Sequence, residues 1–443
     1  MTGNQASPAQ AGLPAPQAAT AHPHDAAGHH AIGRRPADLP LAAVQKKTAR
    51  YAPLLLGGAA AAVLAMAAAP AMANTTGGRD TASAVSISAI LGRGDVVTGV
   101  RGTTDGNVIL TGAHATGTDD DALPFLYEGP LTSAAEGPNF SVLNPPFPGG
   151  IQTATFYGPD TNFFNPDTIP AGQVRAVGSY QTMTTPPGGN PGVVNHGMIY
   201  LGPVSGAGGS WTSIDVPADG SDTVGGVRGC PPAPPGCFVM DTIAHSTMGD
   251  LVVGNYDLNP GHGVSGNAFI YNISTHQWTL LQLGGSLASG TTLYGIWQNG
   301  GPGSPDYTLA GGSSAHGSSP GGNQRAFLMN YNERTGTFGK PAYYSYGNAP
   351  ALFTHFDGIT AVPGGFNLVA ISSAQASSMA FVPVTGRHKA FGRATWYPIP
   401  VGTSPLCSGD CSMVTGNTVF QNQVMGLYVS DVPRTYLATV PTP

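Results

Sequence analysis

One short pattern recurs through most of the chain, an apolar segment that ends in glycine or, once, in alanine. A second apolar segment follows each of the first five at a short distance, and three of these contain Ala-Phe. Turn clusters of Gly, Pro, Asn and Asp separate the segments, so each unit offers about four short strands. The marked segments are residues 108–112, 174–178, 251–254, 307–311, 366–370 and 424–426.

Four antiparallel strands repeated radially form the blades of a β-propeller. The six marks therefore predict an all-β fold, a six-bladed β-propeller, with five or seven blades as alternatives. The last unit, around 414–428, lacks outer strands, and the apolar residues 84–91 have no unit of their own. Pairing these two ends would close the ring and cover its open edges. A pair of β-sandwiches would not keep one motif through the chain, and a β-helix needs shorter, stricter repeats.

Composition agrees with short strands and turns rather than helices. The 443 residues include 64 Gly and 40 Pro, and only 9% are charged. Glycine is too flexible for a helix interior, and proline lacks the required N–H donor. The hydrophobic fraction of 41% is enough for a large core, so wholesale disorder is not expected.

The first 73 residues differ in kind from the rest. Residues 1–50 are rich in Ala, Pro, Gln and His, and three basic residues then precede an apolar run from 53 to 69. Ala71-Met72-Ala73 follows, with small residues at the positions that a signal peptidase reads. This order is typical of a secretory signal. We predict removal of 1–73, a single propeller domain at 74–443, and a secreted or periplasmic location without membrane contact. An uncleaved membrane anchor at 53–73 is the alternative.

Four cysteines stand in two close pairs, Cys230 with Cys237 and Cys407 with Cys411. Two local disulfides are expected after export to an oxidising compartment. A four-thiolate zinc site is the rival, but neither pair has the usual two-residue spacing.

The repeat units resemble the extracellular HAF-type repeats of bacterial secreted proteins. In those repeats a Gly-Ile segment leads to an apolar strand ending in Gly and then to an Ala-Phe strand. Residues 293–296, 309–311 and 326–328 follow this order most closely. The family's His before Ala-Phe is missing, and Asn267, Arg325 and Met379 stand there instead. The resemblance implies a propeller-like fold and carries no settled activity.

The leading segment of each unit is the candidate for the strand nearest the propeller axis. Asp241 and His245 lie on one such segment, on one side of an extended strand, and His355 and Asp357 share a face of another. If both strands line the axis, these four residues form a candidate catalytic group, because carboxylate and imidazole suit general acid–base work. The structural alternative is that they cap turns or bond a neighbouring backbone.

Further candidates for ligand binding are His196, Asp257 and Trp297. Trp297 is the tryptophan expected to be exposed, where it could stack on a sugar ring. No phosphate loop, dinucleotide fingerprint or His-Glu-x-x-His motif is present, so neither a cofactor nor a metal is predicted. Residues 74–443 carry a net charge of −9, which argues against nucleic-acid binding.

These observations favour a secreted, non-catalytic binding or surface-interaction propeller for an unidentified extracellular ligand, with carbohydrate as a candidate. The alternative is an extracellular hydrolase or lyase that acts on a polysaccharide through the Asp/His group at the axis.

Overall fold

All elements longer than three residues in the described part of the chain are β-strands. The computed structural model describes residues 85–116, 121–131, 139–184, 192–231, 236–259, 262, 266–284, 290–314, 324–348, 353–385, 390–407 and 411–441. The predicted leader and signal segment, 1–73, lies outside these ranges. Within them, no helix has the length and apolar character needed to cross a bilayer.

The strands follow one another as short segments joined by turns. They are β1 Ser86–Ile90, β2 Asp95–Gly102, β3 Val108–Ala115, β4 Ala122–Gly129, β5 Phe140–Val142, β6 Ile151–Thr161, β7 Val174–Thr184, β8 Gly192–Gly202, β9 Ser210–Ile214, β10 Val239–Met248, β11 Leu251–Leu258, β12 Asn267–Asn272, β13 Trp278–Leu281, β14 Thr291–Asn299, β15 Asp306–Ser313, β16 Arg325–Asn332, β17 Thr337–Phe338, β18 Ala342–Tyr344, β19 Thr354–Val362, β20 Gly365–Ser372, β21 Ser378–Thr385, β22 Ala390–Phe391, β23 Thr395–Pro398, β24 Met413–Val414, β25 Thr418–Phe420, β26 Gln423–Val429 and β27 Pro433–Thr439. Three-residue 3₁₀ helices occur at Val224–Gly226, Tyr346–Asn348 and Val401–Thr403.

Neighbouring strands pair antiparallel in chain order, and the result is a propeller-like all-β arrangement. Separate sheets contain β2–β5, β14–β18, β19–β23, and β24–β27 with β1. The strands β6–β13 form one eight-stranded sheet. Its two antiparallel halves, β6–β9 and β10–β13, meet through one parallel residue pair, Asn195 with Asp241. The all-β prediction is confirmed, and the blade count of six stays a prediction.

The repeated glycine has a geometric cause. In the first strand of five successive groups the pairing shifts by one residue, a β-bulge, just after the residue that faces the mark, which is glycine in four groups and Ala370 in the fifth. A Cβ at Gly311 would lie 1.8 Å from the carbonyl oxygen of Thr292, and one at Gly178 would lie 1.9 Å from that of Thr155. These glycines are therefore required by the close approach of the bulged strand.

The two ends of the described chain share one sheet. β1 pairs antiparallel with β27 from Ser86 opposite Thr439 to Ile90 opposite Thr435. Residues 86–90 thus join the sheet of the last unit as predicted, but their partner is β27, which lies beyond the predicted bounds of 414–428. The sequence pattern indicates no outer strand for that unit, but β27 supplies one and β1 lies beyond it.

Both predicted cysteine pairs are disulfides. Cys230 is bonded to Cys237, and Cys407 is bonded to Cys411. Since each sulfur is bonded to its partner in one of the two disulfides, no thiolate remains for a four-thiolate zinc site.

Candidate functional site at the centre of the strand array

The extra residue of each β-bulge faces a common central cavity. The cavity is lined by residues of β2, β6, β10, β14, β19 and β25. In each of the first five of these strands the bulge residue is partly exposed between two buried neighbours. We call these bulge residues the axial ring, and they are Thr98, Tyr157, His245, Tyr294 and Asp357.

Aromatic contacts connect the axial ring. The His245 ring lies 4.9 Å from the Tyr157 ring and 4.6 Å from the Tyr294 ring, measured between centroids. The Tyr294 ring stacks at 5.2 Å on His355, two residues before Asp357 on β19. Burial raises the pKa of Tyr157 to about 12, so its hydroxyl stays protonated at neutral pH.

Asp357 in the cavity wall pairs with His355, two residues before it on β19. His355 Nε2 lies 3.0 Å from Asp357 Oδ1, and both side chains are largely buried. Burial raises the pKa of Asp357, and the attraction of His355 opposes that change. Three buried atoms here have no hydrogen-bond partner among the described residues, namely His245 Nε2, His355 Nδ1 and Asp357 Oδ2.

The cavity is very small. The volume open to the centre of a water molecule is about 20 Å³, which is room for one or two waters. Water in this space has two unpartnered atoms on lining residues to bond, His245 Nε2 and Asp357 Oδ2, but a sugar ring could not enter. The axial ring is therefore a packed polar centre.

Asp241 belongs to a different group. Asn195 Nδ2 donates to its carboxylate, and Asp257 lies directly opposite on β11. Burial raises the pKa of Asp241 to about 6, with a further upward contribution from Asp257. The structure thus brings His245 near His355 and Asp357, and places Asp241 beside Asn195 and Asp257. Ser246 aligns with Gly158 of β6, and His245 aligns with Tyr157, because the bulge lies at the same place in both strands.

Both other polar candidates already have protein partners. His196 Nδ1 lies 3.0 Å from Asp215 Oδ2, and its Nε2 lies 3.0 Å from Thr182 Oγ1. The bond to Asp215 raises the pKa of His196, and burial opposes this. Asp257 accepts a hydrogen bond from the amide of Gly266.

Trp297 is not an exposed platform, so its predicted exposure is wrong. It is partly buried, with the Arg101 guanidinium 5.2 Å above its ring and the Phe164 ring 5.5 Å away. Packing between neighbouring strand groups accounts for its position.

A buried charge cluster beside the cavity was not predicted from the sequence. It consists of Arg101, Asp160 and Arg175, each at most 6% exposed. Arg101 Nη2 donates to the carbonyl oxygen of Ile296 at 3.1 Å, which links β2 to β14. Burial raises the pKa of Asp160 to about 6, although both arginines attract its charge. The sequence feature that could have indicated this cluster is an arginine next to apolar strand residues, at Val100-Arg101 and Val174-Arg175.

Among the described residues, no group of three or more His, Cys, Asp and Glu is placed to hold a metal ion.

His245 makes the stability of the fold sensitive to acid. Burial, with a smaller contribution from His355, lowers its pKa to about 3. A lowered histidine pKa contributes stability that is complete above the unfolded value of about 6.5 and is lost as pH falls toward the folded value. We expect His245→Phe to gain about 2 kcal/mol relative to wild type when both move from pH 8 to pH 5. Urea unfolding at the two pH values measures this.

His196→Phe is the matched control for that experiment. Because its partner Asp215 raises the pKa of His196, His196 contributes stability below about pH 6.5 that is lost at higher pH. This variant should therefore become less stable relative to wild type on acidification. A pH response of the same sign in both variants would contradict the assignment.

Comparisons with known proteins give distant structural similarity only. No family model matches the chain, and no curated protein matches it. An extracellular domain attributed to a one-component system of B. thetaiotaomicron is 9% identical over 81% of this chain, with a TM-score of 0.33. The chain spans only 40% of that protein.

The similarity to two further solved structures extends over nearly the whole length of each of them. A protein of Thermus thermophilus attributed to the glucose dehydrogenase oxidoreductases is 11% identical over 80% of this chain and 100% of its own, with a TM-score of 0.38. A catalytically inactive virginiamycin B lyase of Staphylococcus aureus, solved with quinupristin, is 10% identical over 81% of this chain and 99% of its own, with a TM-score of 0.34. No functional residue is transferred from these proteins.

Proposed function

We propose that this chain is a secreted six-bladed β-propeller that acts as a non-catalytic binding or surface-interaction protein for an extracellular ligand. The single observation that carries the non-catalytic assignment is the cavity of about 20 Å³ at the axial ring. General acid–base catalysis requires a side chain within hydrogen-bond reach of its substrate. His355 instead pairs with Asp357, and His245 packs between Tyr157 and Tyr294, beside a space with room only for water.

Six blades follow if the halves β6–β9 and β10–β13 are counted as separate blades. One residue pair joins them, whereas each half has continuous antiparallel pairing of its own. The recurrence of the bulge in five groups, opposite glycine in four of them and opposite Ala370 in the fifth, supports one repeated unit, as the resemblance to HAF-type repeats implies.

Secretion is supported by the two disulfides. Both are local, with the bonded cysteines seven and four residues apart, and disulfides persist mainly in oxidising compartments. The sequence order of basic segment, apolar run and Ala-x-Ala supports the same proposal.

The alternative, an extracellular hydrolase or lyase acting on a polysaccharide, has one favourable observation, the His355–Asp357 pair beside Tyr294. Incubating the secreted chain with cellulose, chitin and pectin separates the two functions. We expect retention of the protein on at least one polymer, without new reducing ends or unsaturated uronate product.

Product release that disappears in His355→Ala and persists in His276→Ala would overturn the non-catalytic assignment. His276 is an exposed histidine outside the axial ring, and its replacement controls for a general effect of losing imidazole. The absence of both retention and product on all three polymers would overturn polysaccharide binding.

A further inference from the structure

A second cavity lies between two neighbouring strand groups, away from the axial ring. One wall is formed by β16 and β18, and the other by the connection from β22 to β23. Its volume by the same measure is about 360 Å³, against about 20 Å³ at the axial ring. The walls are tied together, since the Tyr344 hydroxyl donates to the carbonyl oxygen of Gly392 at 3.1 Å.

Two arginines face this cleft. Arg325 Nε donates to Ser345 Oγ at 3.3 Å, its Nη2 donates to the carbonyl oxygen of Tyr343 at 3.4 Å, and its guanidinium lies 5.7 Å from the Tyr343 ring centre. These contacts fix Arg325 in the wall. Arg393 lines the opposite wall, is exposed, and has no ion-pair partner among the described residues.

The charge is distributed unevenly along the chain. Residues 325–393 contain six Lys and Arg against two Asp and Glu, whereas residues 74–324 contain five against 17. One of the two acidic residues in 325–393 is Asp357, which belongs to the axial ring and not to the cleft. A chain that is acidic overall therefore places two arginines, Arg325 and Arg393, at the walls of an open cleft, which attracts anions.

Two aromatic side chains also line the cleft. Tyr343 and Phe391 are partly buried members of the lining. Aromatic faces pack against apolar ring faces, and guanidinium groups bind carboxylate and sulfate through paired hydrogen bonds. Aromatic faces together with guanidinium groups favour a ligand that has both an apolar ring face and a carboxylate or sulfate group.

We infer that the cleft between β16/β18 and the β22–β23 connection binds acidic saccharides, with Arg325 and Arg393 holding a carboxylate or sulfate group and Tyr343 and Phe391 packing on the sugar. The inference rests on the proposed binding function and names its ligand class and its site.

Calorimetric titration of the secreted chain with trigalacturonate, with a sulfated carrageenan trisaccharide and with the methyl ester of trigalacturonate tests the inference. We expect binding of at least one acidic probe, at least tenfold weaker in Arg393→Gln, and no binding of the neutral ester. Arg334→Gln is the matched control, because Arg334 is exposed but does not line the cleft, and it should bind as wild type does. The two acidic probes distinguish carboxylate from sulfate as the recognised group.

Binding that is equal in wild type and Arg393→Gln, equal for the ester, or absent for both acidic probes overturns the inference. Failure here is distinguishable from failure of the proposed function, because retention on cellulose or chitin would still show a binding protein whose site lies elsewhere. Arg325→Gln is a second variant, in which near-ultraviolet circular dichroism first establishes that the fold is intact.

Discussion

Replacing Arg175 by methionine should destabilise the protein by about 3–5 kcal/mol at pH 7, the usual cost of removing one partner from a buried group of charges. Arg175 Nη1 donates to the carbonyl oxygen of Gly249, and its Nη2 donates to that of Thr168 at 3.3 Å. Asp160 accepts from the amide of Gly249 at 3.1 Å. The substitution breaks both carbonyl bonds and leaves Arg101 as the one remaining arginine that attracts the charge of the buried Asp160 carboxylate.

The destabilisation should depend on pH. Burial already raises the pKa of Asp160 to about 6 with both arginines present, and losing Arg175 raises that pKa further. A raised carboxyl pKa contributes stability that is present below about pH 4 and lost as pH rises through the folded value. The difference between wild type and Arg175→Met should therefore grow above pH 6 and shrink at pH 5.

Urea unfolding at pH 5 and pH 7.5 measures both parts of this prediction. Arg228→Met is the control, since Arg228 is exposed and its loss should change the free energy of unfolding by less than about 0.5 kcal/mol. Equal losses in the two variants, or a loss in Arg175→Met that is larger at pH 5, would contradict the account of the buried charge cluster.

Gly311→Val should cost about 3 kcal/mol or more, at the upper end of what overpacking usually costs. The new Cβ would lie 1.8 Å from the Thr292 carbonyl oxygen and 3.2 Å from the Leu293 Cα. These are backbone atoms of a paired strand, which cannot move aside by a change of rotamer. The bulge that presents Tyr294 to the cavity must therefore distort.

Thermal unfolding compares this variant with Gly402→Val, where a Cβ has no heavy atom within 4 Å. We expect a melting temperature lowered by several degrees in Gly311→Val and nearly unchanged in the control. Ala370 occupies the corresponding place opposite Phe356 and the bulge of β19, so that group accommodates one methyl. The expectation applies to the glycines whose Cβ would meet a carbonyl oxygen within 2 Å, such as Gly311 and Gly178. An unchanged melting temperature in Gly311→Val would refute the steric explanation of the repeat.

The sequence was sufficient for the features that depend on local pattern. Short apolar segments between Gly and Pro turns predict strands, because residue spacing and turn chemistry act within a few residues. The repeated glycine predicts a repeated unit, and two close cysteine pairs predict two local disulfides. His245, His355 and Asp357 could be singled out because polar residues interrupt an apolar strand pattern.

Only the tertiary structure decided which of these residues meet. A bulge adds one residue to each of β2, β6, β10, β14 and β19. This shift in register has no clear sequence pattern, because the bulge residues are as different as Thr98, Tyr157 and Asp357. Tyr157 and Tyr294 look like core residues in the sequence, yet they flank His245. Asp241 shares a strand with His245 and still bonds Asn195 on β8. Contacts between strands far apart in the chain depend on how the groups pack around the centre, and spacing along one strand carries no information about that packing.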